Sequence, residues 1–390
     1  MMKTLRLGDV CEIVNGGTPK TGVAEYWDGD VLWITPKDLG KVTTRTTAHT
    51  ERKLSRLGVQ NSSAKIIPAH SVVLSTRAPI GHVAVNTEPM AFNQGCRGLI
   101  PSKKLLVEYL YYFLKYSKEK LNELGTGTTF RELSAGVLKD VEIPLSSLDE
   151  QRRVVERLDA AFERIDRAIE LTEKNIENVW HLHEKILVDI FDNMTTNTVP
   201  LADVYDVRDG THDSPRYHQD GFPLITSKNL KSGSLSFEKL NYIKRSDYDK
   251  INERSKVDKG DVLMAMIGTI GNPIVIDDEP EFAIKNVALF KPLKGQNSTF
   301  LKYYLMSGGV TRKMQADARG TTQKFVSLGY LRNFPFPSVR PSIQNAVVKN
   351  LDCLNKQVVA TSGRYRARIN LYTDLKQSLL TQAFSGDGVK

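Results

Sequence analysis

One long stretch of this chain recurs at a spacing of 193 residues, and a repeat of that length constrains the architecture before any single residue is weighed. Thr126-Gly127-Thr128-Thr129 answers Arg319-Gly320-Thr321-Thr322, and Leu138 and Pro144 answer Leu331 and Pro337. The same register continues through Gln151 and Gln344, Val154-Val155 and Val347-Val348, Leu158-Asp159 and Leu351-Asp352, Leu187 and Leu380, and Phe191 and Phe384. Upstream the spacing drifts. It is 194 at Leu7, Asp9 and Val10 against Leu201, Asp203 and Val204, 191 at Ile34-Thr35 against Ile225-Thr226, and 190 at Ile80-Gly81 against Ile270-Gly271. Small insertions of this kind place surface loops that differ between the two copies.

Each copy has two textures. The first is rich in Gly, Pro, Thr and short β-branched runs such as Val31-Leu32-Trp33-Ile34 and Ser71-Val72-Val73-Leu74, which predicts short strands and turns, with a helix near Leu105 to Leu121. The second has no Gly or Pro from Leu148 to Asn193, and an apolar stripe runs its length in alternating steps of three and four. Val155, Leu158, Phe162, Ile165, Ile169, Thr172, Ile176, Val179, His183, Ile186 and Ile190 form this stripe, which predicts a coiled-coil helix of roughly 65 Å. The corresponding stretch, 342–384, keeps Val347, Leu351, Leu354, Val358, Tyr365, Ile369, Tyr372 and Leu379 but is less regular and contains Gly363.

Charge separates the same segments. Residues 1–148 and 194–341 are each +5, 149–193 is −5 and 342–384 is +4, within a net +9 for the chain. An acidic and a basic helix are natural partners for each other, and a pseudo-twofold relation between copies sets them antiparallel with one globular domain at each end. The expected fold class is α+β. Two α/β domains, 1–148 and 194–341, are separated by a long helix over 149–193 and a second helix with its tail over 342–390.

Several functions are disfavoured. The longest apolar runs fall short of a membrane span, and the N-terminus lacks a secretion-type apolar stretch, so a cytoplasmic protein with no membrane partner is expected. Cys11, Cys96 and Cys353 form no CxxC pair and are expected to be buried small apolar residues. A phosphate-binding GxxxxGK[ST] loop is missing, as is the Asn- or Asp-Pro-Pro-aromatic segment of amino-methylating enzymes. No Pro-Asp precedes Glu51-Arg52-Lys53 to make a nuclease site. His181 and His183, two apart on a helix, cannot share a metal, and His183 reads as a polar seam position. No catalytic residue, metal site or cofactor is expected on this chain.

What is repeated is a set of basic, polar loops. Asn15-Gly16-Gly17-Thr18-Pro19-Lys20-Thr21 and Gly210-Thr211-His212-Asp213-Ser214-Pro215-Arg216 combine glycine with hydrogen-bonding side chains, which lets backbone approach a polymer closely. Thr76 to Gly81 and Phe92 to Arg97 add arginine and amide groups of the kind that bond base edges in pairs. Thr128, Thr129 and Arg131, with Thr321, Thr322, Gln323 and Lys324, occupy matching places before the long helices.

The chain resembles, over essentially its whole length, the specificity subunit of Type I restriction-modification systems. The resemblance is carried by Leu5-Arg6-Leu7-Gly8-Asp9-Val10, Asn15-Gly16-Gly17-Thr18-Pro19 and Arg77-Ala78-Pro79-Ile80-Gly81. It continues in Val141-Glu142-Ile143-Pro144-Leu145 leading into Leu148 to Val155, and in Leu375 to Leu380 followed by Ala383-Phe384-Ser385-Gly386. Arg340-Pro341-Ser342-Ile343-Gln344 departs from it, where the family often has an acid before the glutamine. The resemblance implies a non-catalytic reader of a split, asymmetric site in double-stranded DNA, one half-site per recognition domain, with the helices setting the spacer. It also implies two modification subunits carrying S-adenosylmethionine for adenine methylation, and a restriction subunit that uses ATP and Mg2+ to translocate and cut. Expected DNA contacts are Thr18, Lys20, Lys37, Arg77, Asn93, Gln94, Arg97 and Arg131 in the first domain. In the second they are Thr211, His212, Lys228, Asn229, Lys285, Asn286, Arg319, Gln323 and Lys324. The alternative is a coiled-coil scaffold with protein-binding heads, which would bind duplex DNA without sequence preference.

Overall fold

The computed structural model describes residues 3–127, 131–231, 233–293, 295–321 and 323–385. The fold is α+β, and the chain divides into two compact units: residues 1–172 with 367–390, and residues 173–366. Each long helix therefore contributes one part to each unit.

In the first unit, alternating β-branched and aromatic residues make two sheets. Cys11–Asn15, Cys96–Pro101, Val72–Ser75, Val83–Asn86 and Thr46–Thr47 lie in that order in a five-stranded sheet. Arg52–Leu54, Trp27–Ile34 and Met90–Phe92 form the second, the last two strands running parallel. A short antiparallel pair, Lys3–Arg6 with Glu142–Leu145, closes the domain where the first long helix begins. The expected helix near Leu105 is two, Val107–Tyr116 and Lys118–Glu123, separated at Ser117.

The second unit reuses this plan. Tyr205–Asp209, Val287–Pro292, Val262–Ala265 and Gly271–Val275 form a sheet in the order of the first four strands above. Asn241–Ile243, Phe222–Ile225 and Ala283–Ile284 again place a parallel pair beside an antiparallel one. Thr198–Pro200 pairs with Pro335–Pro337 as Lys3–Arg6 pairs with Glu142–Leu145.

The long helices are continuous, Leu148–Met194 and Pro341–Phe384. Every position of the apolar stripe in the first is buried or half-buried, and His183 is buried with them. The second helix continues through Gly363, which is exposed and costs about 1 kcal/mol relative to alanine, too little to break a helix of 44 residues. In the first unit the two helices run antiparallel. Asp166 pairs with Lys376, whose ammonium lies 5.0 Å over the Phe162 ring, while Leu380 and Phe384 share a core with Leu158 and Val155. Phe384 packs against Tyr109 and Phe113, at ring distances of 5.0 and 5.8 Å. In the second unit its counterpart Phe191 packs against Phe300 and Tyr304 at 5.3 and 5.4 Å, in a core that includes Leu351. Each helix thus ends in a phenylalanine that fills an aromatic pocket, which accounts for the repeat at Phe191 and Phe384.

Gln151 and Gln344 fix how each long helix leaves its domain. Both are fully buried. Gln151 Oε1 accepts from the Leu106 N–H (2.9 Å) and its amide donates to the Lys104 and Ser146 carbonyls (2.9 and 3.0 Å). Gln344 Oε1 accepts from the Asn297 N–H (3.0 Å) and its amide donates to the Val339 carbonyl (3.1 Å). The Tyr303 hydroxyl donates to Asp352 (2.7 Å), as Tyr112 does to Asp159.

Cys11 and Cys96 are buried, and burial pushes the Cys11 thiol up to about 12. Cys353 departs from the expectation: it is exposed on the second long helix, between the stripe positions Leu351 and Leu354. Among the described residues no helix is long and apolar enough to cross a membrane.

Candidate nucleic-acid interface

The first loop is held by close backbone approach. The Gly17 N–H donates to the Phe92 carbonyl (2.9 Å), and a Cβ at Gly16 would stand 2.1 Å from the Asn93 carbonyl oxygen, so only glycine fits. Asn93 Nδ2 then donates to Thr18 Oγ1 (3.0 Å), and Thr18 in turn bonds Gln94. The turn from Asn93 to Arg97 gathers the rest. Arg97 donates to the Gln94 and Cys96 carbonyls (2.8 and 3.0 Å), the Arg77 N–H donates to the Gly95 carbonyl (3.2 Å), and the Ala78 N–H to the Arg131 carbonyl (3.2 Å). Thr18, Arg77, Asn93, Gln94, Arg97 and Arg131 are therefore one cluster. Lys20 and Lys37 stand outside it. Lys20 is exposed beyond the loop, and Lys37 pairs with Glu51 at 3.2 Å.

In the second unit a matching clasp has different side chains. A Cβ at Gly210 would lie 2.3 Å from the Ile284 carbonyl oxygen, and the Thr211 N–H donates to that carbonyl (3.0 Å). The His212 ring is held at both nitrogens, Nδ1 at 2.7 Å from Asn286 Oδ1 and Nε2 at 2.9 Å from Asp209 Oδ2. Asp209 is buried and also accepts from Arg254 (2.9 Å). Lys285 Nζ donates to Ser214 Oγ (2.6 Å), and Ser227 Oγ, next to exposed Lys228, donates to the Asn286 carbonyl (3.1 Å). A cleft of about 380 Å3 opens here, lined by Thr211, His212, Ser214, Lys250 and Arg254 among others. Arg319, Gln323 and Lys324 form a separate group around the bridge between Arg319 and Phe325, all three exposed.

Three expected contacts are turned inward. Arg97 is buried with its guanidinium on backbone carbonyls, and Lys285 is buried against Ser214. Asn229 is buried too: its Oδ1 accepts from the Thr226 N–H (3.0 Å) and its amide donates to the Ser236 carbonyl (3.1 Å), which makes it a cap for its own turn. Thr128, Thr129 and Thr322 lie outside the described residues. Sequence reading missed Asp209, which holds His212, Arg254, which donates to Asp209, and Glu132, which accepts from Arg77 Nε (2.9 Å) and Arg97 Nη2 (3.4 Å). Nothing in the chain marks these acids, because each meets its cation only through the fold.

The family model for the Type I restriction modification DNA specificity domain matches residues 1–179 and again 193–370. The chain belongs to that family. A Type I specificity subunit, MjaIX of Methanocaldococcus jannaschii, is 38% identical over 198 residues, covering 50% of this chain and 44% of that protein. The EcoR124I/EcoR124II specificity subunit of Escherichia coli is 29% identical over 185 residues, 44% of this chain and 45% of that protein. The matched part thus spans less than half the length of each of these two relatives. A solved structure of a type I R-M system contains a chain with the same fold, at a TM-score of 0.73 and 19% identity over 99% of this chain and 98% of that one.

Proposed function

We propose that this specificity-family chain is the non-catalytic reader of a Type I restriction-modification complex, its two domains each binding one half of a split, asymmetric site in double-stranded DNA. One observation carries the reading: the same glycine-held clasp occurs in both repeats but presents Thr18, Asn93 and Gln94 in one and Thr211, His212 and Asn286 in the other. Equal scaffolds with unequal polar edges suit two different base sequences. The net charge of +9 adds a general attraction for phosphate.

The base-edge and phosphate contacts fall to the exposed and half-exposed members of the predicted set: Thr18, Lys20, Lys37, Arg77, Asn93, Gln94 and Arg131 in the first domain, and Thr211, His212, Lys228, Asn286, Arg319, Gln323 and Lys324 in the second. Arg97, Asn229 and Lys285 act as positioning groups. Two modification subunits holding S-adenosylmethionine dock on the long helices and methylate adenine, while a restriction subunit uses ATP and Mg2+, all in the cytoplasm. The test is single-molecule mapping of N6-methyladenine in host DNA with and without this gene, where the modification subunit is expressed. A bipartite motif that disappears with the gene is expected; an unchanged map would favour the scaffold reading instead.

A further inference from the structure

The two repeats share a backbone lattice at one place where their side chains have opposite chemistry. In the first, Arg77 and Glu132 face each other across an antiparallel bridge, and Thr126 bridges Glu132 from the other side. In the second, Ile267 faces Phe325 and Arg319 bridges Phe325. The surrounding hydrogen bonds correspond as well. The Leu133 N–H donates to the Thr76 carbonyl (2.8 Å) as the Val326 N–H does to Met266 (3.0 Å). The Ala78 N–H donates to Arg131 (3.2 Å) as the Gly268 N–H does to Lys324 (2.8 Å). Residues opposed in such a bridge have neighbouring side chains.

Arg77 Nε is committed to Glu132 Oε2 at 2.9 Å, which sets the plane of the guanidinium. Both terminal nitrogens are left without a partner among the described residues, on a side chain that is 46% exposed. A guanidinium fixed at Nε and open at its fork is the donor pair that matches guanine O6 and N7. At the equivalent place Phe325 is 38% exposed and Ile267 half-buried, and both side chains are apolar. An apolar pair at a base edge suits the thymine C5-methyl group.

We propose that this bridge is a base-reading position in both domains: Arg77, oriented by Glu132, reads a guanine in one half-site, and the Ile267 and Phe325 pair reads a thymine methyl in the other. The inference rests on the DNA-reading function above and adds the base class at each place.

The experiment uses the full complex with its modification subunits and measures methylation of duplexes in which one half-site is varied base by base while the other stays fixed. For Arg77→Lys, whose ammonium cannot fork, preference for one G·C pair in the first half-site falls by about 10- to 100-fold. Glu132→Ala flattens the same pair, whereas Glu132→Gln, whose oxygen still accepts the Nε proton, retains most of the preference. Phe325→Ala relaxes one T·A pair in the second half-site by roughly fourfold, the worth of one methyl contact. The untouched half-site reports folding and assembly in every variant. Unchanged base preferences, equal behaviour of the two Glu132 variants, or a uniform loss across all sequences would overturn the proposal. A wild-type complex with no bipartite motif at all would instead remove the DNA-reading function on which it depends.

Discussion

At the scale of single residues, the most instructive positions are the two buried glutamines. Gln151 and Gln344 lie 193 residues apart, and each ties the start of a long helix to the backbone of the domain before it. Leucine has nearly the same volume, so Gln151→Leu would leave little cavity but would strand the Leu106 N–H and the Lys104 and Ser146 carbonyls. A buried unpaired group costs about 1–3 kcal/mol, and the variant is expected to lose about 2 kcal/mol or more. Hydrogen exchange makes the check specific. The Leu106 amide should lose protection in Gln151→Leu while the Asn297 amide keeps it, and Gln344→Leu should do the reverse. Equal protection of both amides in both variants would show that the glutamines are not the anchors. The repeat made these residues visible in the sequence, but their work was not. A glutamine that bonds three backbone groups looks the same in sequence as one in solvent. The same limit hid the inward turn of Arg97 and Asn229 and the acid partners Glu132 and Asp209, since the direction of a side chain depends on loops that meet only in the folded chain.

At the scale of elements, the long helices were the most legible part of the fold, because a seam that repeats every three and four residues has no other stable reading. The small strands were legible as texture only; their order depends on pairings between segments such as Cys11–Asn15 and Cys96–Pro101, far apart in the chain. His183 is the exception within the seam. It is buried, its Nε2 has no hydrogen-bond partner among the described residues, and its ring lies edge-on to Trp180 at 5.9 Å. Burial holds its pKa below the ordinary histidine value, so the folded helix accommodates the neutral ring. The unfolded chain then binds a proton more readily than the folded one. The stability this site contributes is fully present above the ordinary value near 6.5 and is lost as the pH falls below it toward the folded value. His183→Leu is expected to raise stability by about 1–3 kcal/mol, by removing a buried unpaired nitrogen. Thermal melts at pH 7.5 and 5.5 should show a smaller acid loss in the variant than in the wild type. An undiminished acid loss would assign that loss to other groups.

At the scale of the whole molecule, the functional question is what the length of the helices does. Neither domain needs 47 residues of helix for its own core: among the described residues, the cores of the two units draw on Val154 to Phe162 and Leu187 to Met194 of the first helix and on Val347 to Leu354 and Leu379 to Phe384 of the second. The remaining turns carry the stripe and its flanking charges, where insertion or deletion of whole heptads preserves the seam. On the proposed reading, that length is set by the DNA. Removing one heptad from each long helix, near residues 172 and 367 where the chain passes from one compact unit to the other, shortens each by about 10 Å. With base pairs about 3.4 Å apart along the duplex, that is a change of about three base pairs. The expected outcome is a methylation motif with both half-sites unaltered and a spacer shorter by about that amount. Removing a heptad from one helix alone breaks the pairing of the seam and should abolish methylation without producing a new spacer. If the matched deletion is methylated at the original spacer, the helices do not measure the distance, and the separation of the half-sites must be fixed by the partner subunits that hold them.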